Sequence, residues 1–150
     1  MSSKNSEKLS QTAQYLLDEC RMVLPGIQAL FGFQLIAVFN ARFAEVLSSG
    51  EQRLHLLSIM LVVMCIVMIM SPAAYHRQSR HQEVTQRFIT VTTRLLLWTM
   101  WPLAAGLSMD IYLIGRVIVD AMMGCILAVG VVCWAFAFWF LLPRLDRPNV

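Results

Sequence analysis

One arginine inside an apolar segment is the residue of this 150-residue sequence with the clearest potential for chemistry. Arg94 lies in "TVTTRLLLWTMW", about seven residues and about 10 Å inside a segment that could cross a bilayer. A guanidinium at such depth costs roughly 2.5 to 3.5 kcal/mol, less when it can extend to the headgroups. Arg94 could therefore pair with a carboxylate inside the protein, line a wet cavity, or anchor its helix at the headgroups, and the sequence leaves these alternatives open.

Depth in the membrane decides which acids could pair with Arg94. Asp110 and Asp120 are expected at the opposite surface, whereas Asp18 and Glu19 precede the first span on the same side as Arg94. Polar residues also gather at the end of the second span, in "SPAAYHR". The sequence thus predicts a charged cluster at the inner helix ends, consisting of Asp18, Glu19, Arg21, Gln28, Tyr75, His76, Arg77 and Arg94. The alternative is an ordinary interfacial belt of aromatic and basic residues.

Small residues recur at helical spacing in the last apolar segment, at Ala121, Gly124, Ala128 and Ala135. Such a face lets another helix approach closely, because packing rather than hydrophobicity holds helices together in lipid. The partner helix could belong to the same chain or to a second copy, and we expect a homo-oligomer.

Signatures of enzymes and cofactor sites are missing from the sequence. It has no Gly-rich phosphate loop, no HExxH and no nucleophile elbow, and none of the four cysteines forms a CxxC pair. We therefore expect neither an enzyme nor a bound metal or cofactor, and no nucleic-acid partner.

Composition places these residues on membrane helices. Hydrophobic residues make up 58% of the chain and charged residues only 14%, whereas soluble domains carry about a quarter charged residues. The apolar residues form long blocks, and a helix needs roughly 20 of them to cross the hydrocarbon layer. The predicted fold is an all-α membrane protein forming one domain, with four transmembrane helices at about 25–43, 54–74, 88–107 and 117–142. An amphipathic N-terminal helix at about 9–24 precedes them.

The distribution of lysine and arginine predicts the orientation in the membrane. With four spans both termini lie on one side, and the short segments there hold eight lysines and arginines, against three on the other side. By the positive-inside rule, both termini should be cytoplasmic. Arg77, Arg80 and Arg87 would then lie near anionic headgroups of the bilayer.

Several motifs resemble those of a family of small four-helix bacterial membrane proteins that is catalogued as a domain of unknown function. They are "DECRMVLPGIQALFGFQ", "FNARFAEV", "SPAAYHR" and the arginine in "TTRLLL". The resemblance covers about residues 16–107 and implies a location in the bacterial inner membrane. It places motif positions at Glu19, Arg21, Pro25, Gly26, Gln28, Arg42, Phe43, Pro72, Tyr75, His76, Arg77 and Arg94.

Some members of that family carry a sodium:proton antiporter label. Known exchangers of that kind use membrane-embedded acids in longer, broken-helix folds, and we predict no acid in the middle of a span here.

The leading functional hypothesis is an oligomeric ion channel or ion-coupled transporter of the inner membrane. Arg94, Asp18 and Glu19 would form its charged inner gate, and His76 would respond to pH. The alternative is a non-transporting scaffold or accessory subunit that binds anionic lipid or a partner protein.

Overall fold

The structure is a computed structural model that describes residues 2–78 and 86–145, without the side chains of residues 2–6, 76 and 78. Its described residues form helices joined by short turns, and no strand occurs among them. The α-helices are α1 (Ser2–Val38), α2 (Phe43–Val46), α3 (Ser49–Gln78), α4 (Gln86–Ile118), α5 (Ala121–Phe136) and α6 (Leu142–Leu145). A π-helical segment, Ala137–Leu141, joins α5 to α6 without a break.

Three helical segments are long and apolar enough to cross a membrane: Glu7–Val38, Ser49–Tyr75 and Ala121–Leu145. They confirm the all-helical class and the presence of membrane-spanning helices. The fourth predicted span lies in α4, which has 33 residues but whose apolar sequence is interrupted by charged ones. Its charged residues are Arg87, Arg94, Asp110 and Arg116.

The helix boundary predicted at Pro25 is wrong. The α1 helix runs through Pro25 without a break and has 37 residues in all. The described chain therefore has one long helix where the sequence suggested a surface helix followed by a span. A proline removes one backbone hydrogen bond, whereas a full break inside the bilayer would expose many unpaired backbone groups. Pro72 and Pro102 likewise lie inside α3 and α4.

The outer connection predicted after residue 107 is also wrong, because α4 continues to Ile118. Asp110 and Arg116 were assigned to this connection on account of their charge. Both instead lie on the last turns of α4 and have partners on other elements. A charged side chain that has partners within the protein does not need water, so the helix does not have to end at that residue.

The α3 helix lies at the centre of the bundle and packs against α1 and α4, while α5 packs on α4. Val62 and Cys65 of α3 are fully buried, and Cys20 and Ile27 of α1 cover them. This apolar core occupies the middle of α3 and leaves polar contacts to its N-terminal turns.

The predicted small-residue face of α5 packs inside the chain at two of its four positions. A Cβ at Gly124 would lie 2.7 Å from the Tyr112 carbonyl oxygen, so the backbones of α4 and α5 touch there. Ser108 donates a hydrogen bond of 3.3 Å to the carbonyl of Ala128. Ala121 is exposed and Ala135 is half-buried.

Candidate functional site: a buried polar cluster

Three helices each bring one polar side chain to a common point near one end of the bundle. Gln34 of α1 donates from Nε2 to Ser58 Oγ of α3 (2.6 Å) and to Asp110 Oδ2 of α4 (2.7 Å). The Ser58 hydroxyl in turn donates to Asp110 Oδ1 at 2.5 Å. Asp110 lies eight residues, or about 12 Å, before the end of α4, so its carboxylate is held inside the bundle.

His55 completes this polar cluster from one turn before Ser58 on α3. Its Nε2 lies 3.1 Å from the backbone carbonyl of Gln34, and its Nδ1 lies 3.6 Å from Asp110 Oδ1. A carbonyl only accepts hydrogen bonds, so Nε2 carries a hydrogen. The His55 ring therefore lies beside the Asp110 carboxylate, with Nδ1 and Oδ1 slightly too far apart for a direct hydrogen bond.

The amide of Gln34 leaves one buried atom of the cluster unsatisfied. Its Oε1 is buried and has no hydrogen-bond partner among the described residues. The amide points Nε2 toward the Ser58 and Asp110 oxygens, which both accept from it, and this orientation leaves Oε1 without a donor.

Burial makes this cluster costly to build. Ser58 is 0% exposed, Gln34 4% and His55 7%, and the Asp110 side chain is 13% exposed. A polar group in such a place loses its water and keeps its stability only through protein partners. Ionisable residues inside membrane helices usually mark pathways or proton relays, so this is the main functional-site candidate of the molecule.

A cavity of about 510 Å³ opens beside the cluster, between α1, α2 and the last turns of α4. Gln34, His55 and Asp110 form part of its wall, together with Asn40 and Arg42. The remaining lining is apolar: Leu30, Phe33, Ala37, Phe43, Val46, Leu47, Leu113, Ile114, Val117 and Ile118. A largely apolar cavity of this size with a few convergent polar groups is typical of a small-molecule site.

An ion pair lies at the same end of the bundle as the polar cluster, nearer to the ends of α3 and α4. Arg116 Nε of α4 lies 2.5 Å from Glu51 Oε1 at the start of α3, and the Arg116 guanidinium also donates to the Val46 carbonyl at 3.4 Å. Glu51 Oε2 accepts from the Ser48 backbone N–H (2.8 Å) and from its hydroxyl (2.6 Å). These contacts tie the α2–α3 connection to α4. Arg116 therefore pairs with Glu51, whereas Asp120 caps α5 by accepting from the Met123 N–H.

The inner cluster that the sequence predicted is not brought together among the described residues. Asp18 pairs with Arg21 on its own helix at 3.3 Å, with both side chains mostly in the open. Tyr75 stacks on Phe88 with ring centroids 5.8 Å apart. Glu19, Gln28, Arg77 and Arg94 are exposed. The side chain of His76 and all of Arg80 lie outside the described part of the chain.

Sequence reasoning missed every member of the polar cluster as a site residue. Asp110 was expected at the opposite surface, outside the third predicted span, and none of Gln34, His55 and Ser58 was singled out as a site residue. One local signal existed, because His55 and Ser58 are three positions apart and share a face of a strongly apolar helix. The acid that completes the site could not be assigned while α4 was thought to end at residue 107.

Comparison with known proteins places the chain in a family without assigning an activity. A family model described as "Family of unknown function (DUF6328)" matches residues 2–143. No curated protein and no solved structure matches the chain.

Proposed function

This chain belongs to that family, and we propose that it is a proton-coupled or proton-conducting membrane transporter whose proton site is the cluster around Asp110. The observation that carries the proposal is a carboxylate held inside the bundle with a histidine ring beside it, since Asp110 Oδ1 lies 3.6 Å from His55 Nδ1 and the Asp110 side chain is only 13% exposed. A carboxyl group and an imidazole this close can exchange a proton directly after a small shift or through one water. Histidine is suited to such exchange near neutral pH.

The topology that we propose has four spans, with α4 as the additional one. Supporting it, α4 packs against both α3 and α5, and the α4–α5 turn puts Ala121–Leu145 beside it in the opposite direction. The excess of lysine and arginine near the termini then favours cytoplasmic termini in an inner membrane. In this orientation the polar cluster lies toward the outer surface.

The cavity beside the cluster supports transport rather than simple proton storage. It contacts the two groups that exchange the proton and is large enough for a small molecule or a file of waters. Occupation of this space would change the hydration of Asp110, and hence the free energy of its protonation. The cavity also lies open beside α1 and α2, and we propose that a second copy of the chain narrows it in an oligomer.

The proposal is tested by reconstituting the purified chain into liposomes with a pH-sensitive dye inside. A potassium diffusion potential drives protons inward, and Asp110→Asn should reduce the protein-dependent flux by about a hundredfold, as loss of a positioned proton-transfer group does in enzymes. Infrared difference spectra between acid and alkaline samples should show the band of a buried protonated carboxyl, separate from those of the exposed carboxyl groups, that Asp110→Asn removes.

The matched control is Asp120→Asn, which removes a carboxylate that caps α5 and does not touch the cluster. It should leave flux and the carboxyl band unchanged. Equal flux for Asp110→Asn and the unaltered protein would contradict the proposal, as would a carboxyl band that survives the Asp110 substitution.

A second candidate is a scaffold that recruits anionic lipid or a partner without transport. The observation that favours it is the exposure of Arg77, Arg87 and Arg94 near one end of the bundle. Liposomes that show no proton flux above the empty control, together with a carboxyl band that does not respond to pH, would favour this candidate.

A further inference from the structure

A second cleft lies near the opposite end of the bundle and has aromatic walls. It has a volume of about 240 Å³ and lies between α4 and the C-terminal helical segment. Trp98 and Trp101 of α4 face Trp139 and Phe140 across it, and the Trp101 and Phe140 rings stack with centroids 4.7 Å apart. Trp98 is 66% exposed and Trp101 50% exposed. The cleft is therefore open toward the surroundings of the bundle and is not part of its core.

One arginine lines this cleft and a second lies near it. Arg144 lines it directly. Arg94 is exposed and lies one helical turn before Trp98, a lining residue on the same face of α4. Arg94 precedes the end of α4 by 24 residues and Arg144 follows the start of α5 by 23, so both lie about 35 Å from the α4–α5 turn. The hairpin thus puts both guanidiniums at one depth.

Neither arginine has an acidic partner among the described residues, whose ion pairs are Asp18–Arg21, His55–Asp110 and Glu51–Arg116. Among the described residues, which end at Leu145, no acidic residue lines the cleft either. Two exposed positive charges at the end of an aromatic groove suit an anionic group, and the groove suits an apolar chain. One molecule that carries both is an anionic phospholipid.

We propose that the cleft binds an anionic phospholipid of the leaflet at the Arg94 end. Its phosphate accepts hydrogen bonds from Arg94 and Arg144, and the upper part of an acyl chain lies against Trp98, Trp101 and Phe140. This role explains how Arg94 is tolerated inside an apolar segment, because it extends to a headgroup along the face of its own helix. The site is independent of the proton site, since it lies at the other end of the bundle.

The binding test uses native mass spectrometry of the purified full-length chain with added phosphatidylglycerol or phosphatidylcholine. The protein should retain phosphatidylglycerol at least fivefold more strongly. The double substitution Arg94→Gln/Arg144→Gln should abolish this preference, whereas Arg94→Lys/Arg144→Lys should keep part of it. The control is Arg53→Gln, which removes an exposed positive charge near the start of α3, at the opposite end of the bundle from the cleft. It should leave the preference for phosphatidylglycerol unchanged.

A second measurement reports on the acyl chain. Phosphatidylglycerol with brominated chains should quench the tryptophan fluorescence of the unaltered protein more than brominated phosphatidylcholine does, and the glutamine double substitution should remove the difference.

Three results would overturn the proposal. One is equal retention of both lipids, and another is an unchanged preference in the glutamine double variant. The third is displacement of phosphatidylglycerol by millimolar inorganic phosphate, which would show that the arginines bind a free anion. None of these results bears on proton flux, so the proposed function stands or falls separately.

Discussion

The two ends of the bundle use polar residues in opposite ways. At one end Gln34, Ser58 and Asp110 come from three different helices and bond to one another in a buried cluster. At the other end the charged residues are more numerous along the chain, but those described are exposed, and the Asp18–Arg21 pair lies within a single turn of one helix. The end with fewer charges has the more highly organised site.

This difference indicates that a polar residue on these helices belongs to a site when it has partners on other helices, however many polar residues lie near it in the sequence. Arg94 and Asp110 each lie eight residues inside an end of α4, so depth alone does not distinguish them. A long arginine side chain can extend to headgroups and needs no protein partner. The short aspartate side chain cannot reach that far, so its donors come from neighbouring helices. Four comparisons of substitutions test this difference, and the largest effect is expected first.

The largest contrast is expected in proton flux. Asp110→Asn should reduce it by about a hundredfold, whereas Arg94→Gln and Asp18→Asn should leave it within the error of the liposome assay. Circular dichroism and gel filtration show whether each variant still folds. A loss of flux in Arg94→Gln equal to that in Asp110→Asn would support the hypothesis of a charged inner gate and contradict the contrast between the two ends.

A packing contrast is expected between two glycines of α5. A Cβ at Gly124 would meet the Tyr112 oxygen at 2.7 Å and the Arg116 nitrogen at 3.0 Å, both backbone atoms of α4. Gly124→Ala should therefore lower the free energy of unfolding by about 2 to 3 kcal/mol. Gly130 has nothing within 4 Å of its added Cβ. Gly130→Ala should be neutral or stabilise by up to about 1 kcal/mol. Thermal unfolding in detergent measures both, and equal shifts would disprove close packing at Gly124.

The hydrogen bonds of two serines on α3 should contribute differently to the free energy of unfolding. Ser58→Ala leaves Asp110 and Gln34 each short of one buried partner, and should cost about 1 to 2 kcal/mol. Ser71 bonds only to the Val67 carbonyl of its own helix. Ser71→Ala should change the stability by less than about 0.5 kcal/mol. Chemical unfolding in mixed micelles can rank them, and a reversed order would mean that the cluster is not held together as described.

The smallest contrast lies between two ion pairs. A double-mutant cycle with Glu51→Gln and Arg116→Gln should give a coupling of about 1 kcal/mol, because the side chains are only 12% and 32% exposed. The equivalent cycle for Asp18 and Arg21, which are 60% and 80% exposed, should give less than about 0.5 kcal/mol. Both couplings come from unfolding free energies in low salt, and equal values would mean that burial does not distinguish the two ends.

Much of the fold follows from the sequence because its physical cause is local. Apolar blocks such as Leu56–Met70 need only be long enough to cross a bilayer, and backbone satisfaction then makes them helical. The second predicted span, 54–74, lies within Ser49–Tyr75, which is long and apolar enough to cross a membrane. The rules for proline and charge were less successful, since α1 continues through Pro25 and α4 through Asp110. Each of these rules assumes that a residue has no partner beyond its own helix.

By itself, the sequence determined an all-helical protein and the segments that are long and apolar enough to cross a bilayer, because hydropathy and backbone hydrogen bonding act within one segment. Only the tertiary structure decided which polar residues form a site. Gln34, His55, Ser58 and Asp110 are separated by up to 76 positions, and nothing in their local sequence pairs them. Their contacts depend on how α1, α3 and α4 pack, and that packing is set by side chains far from any of the four.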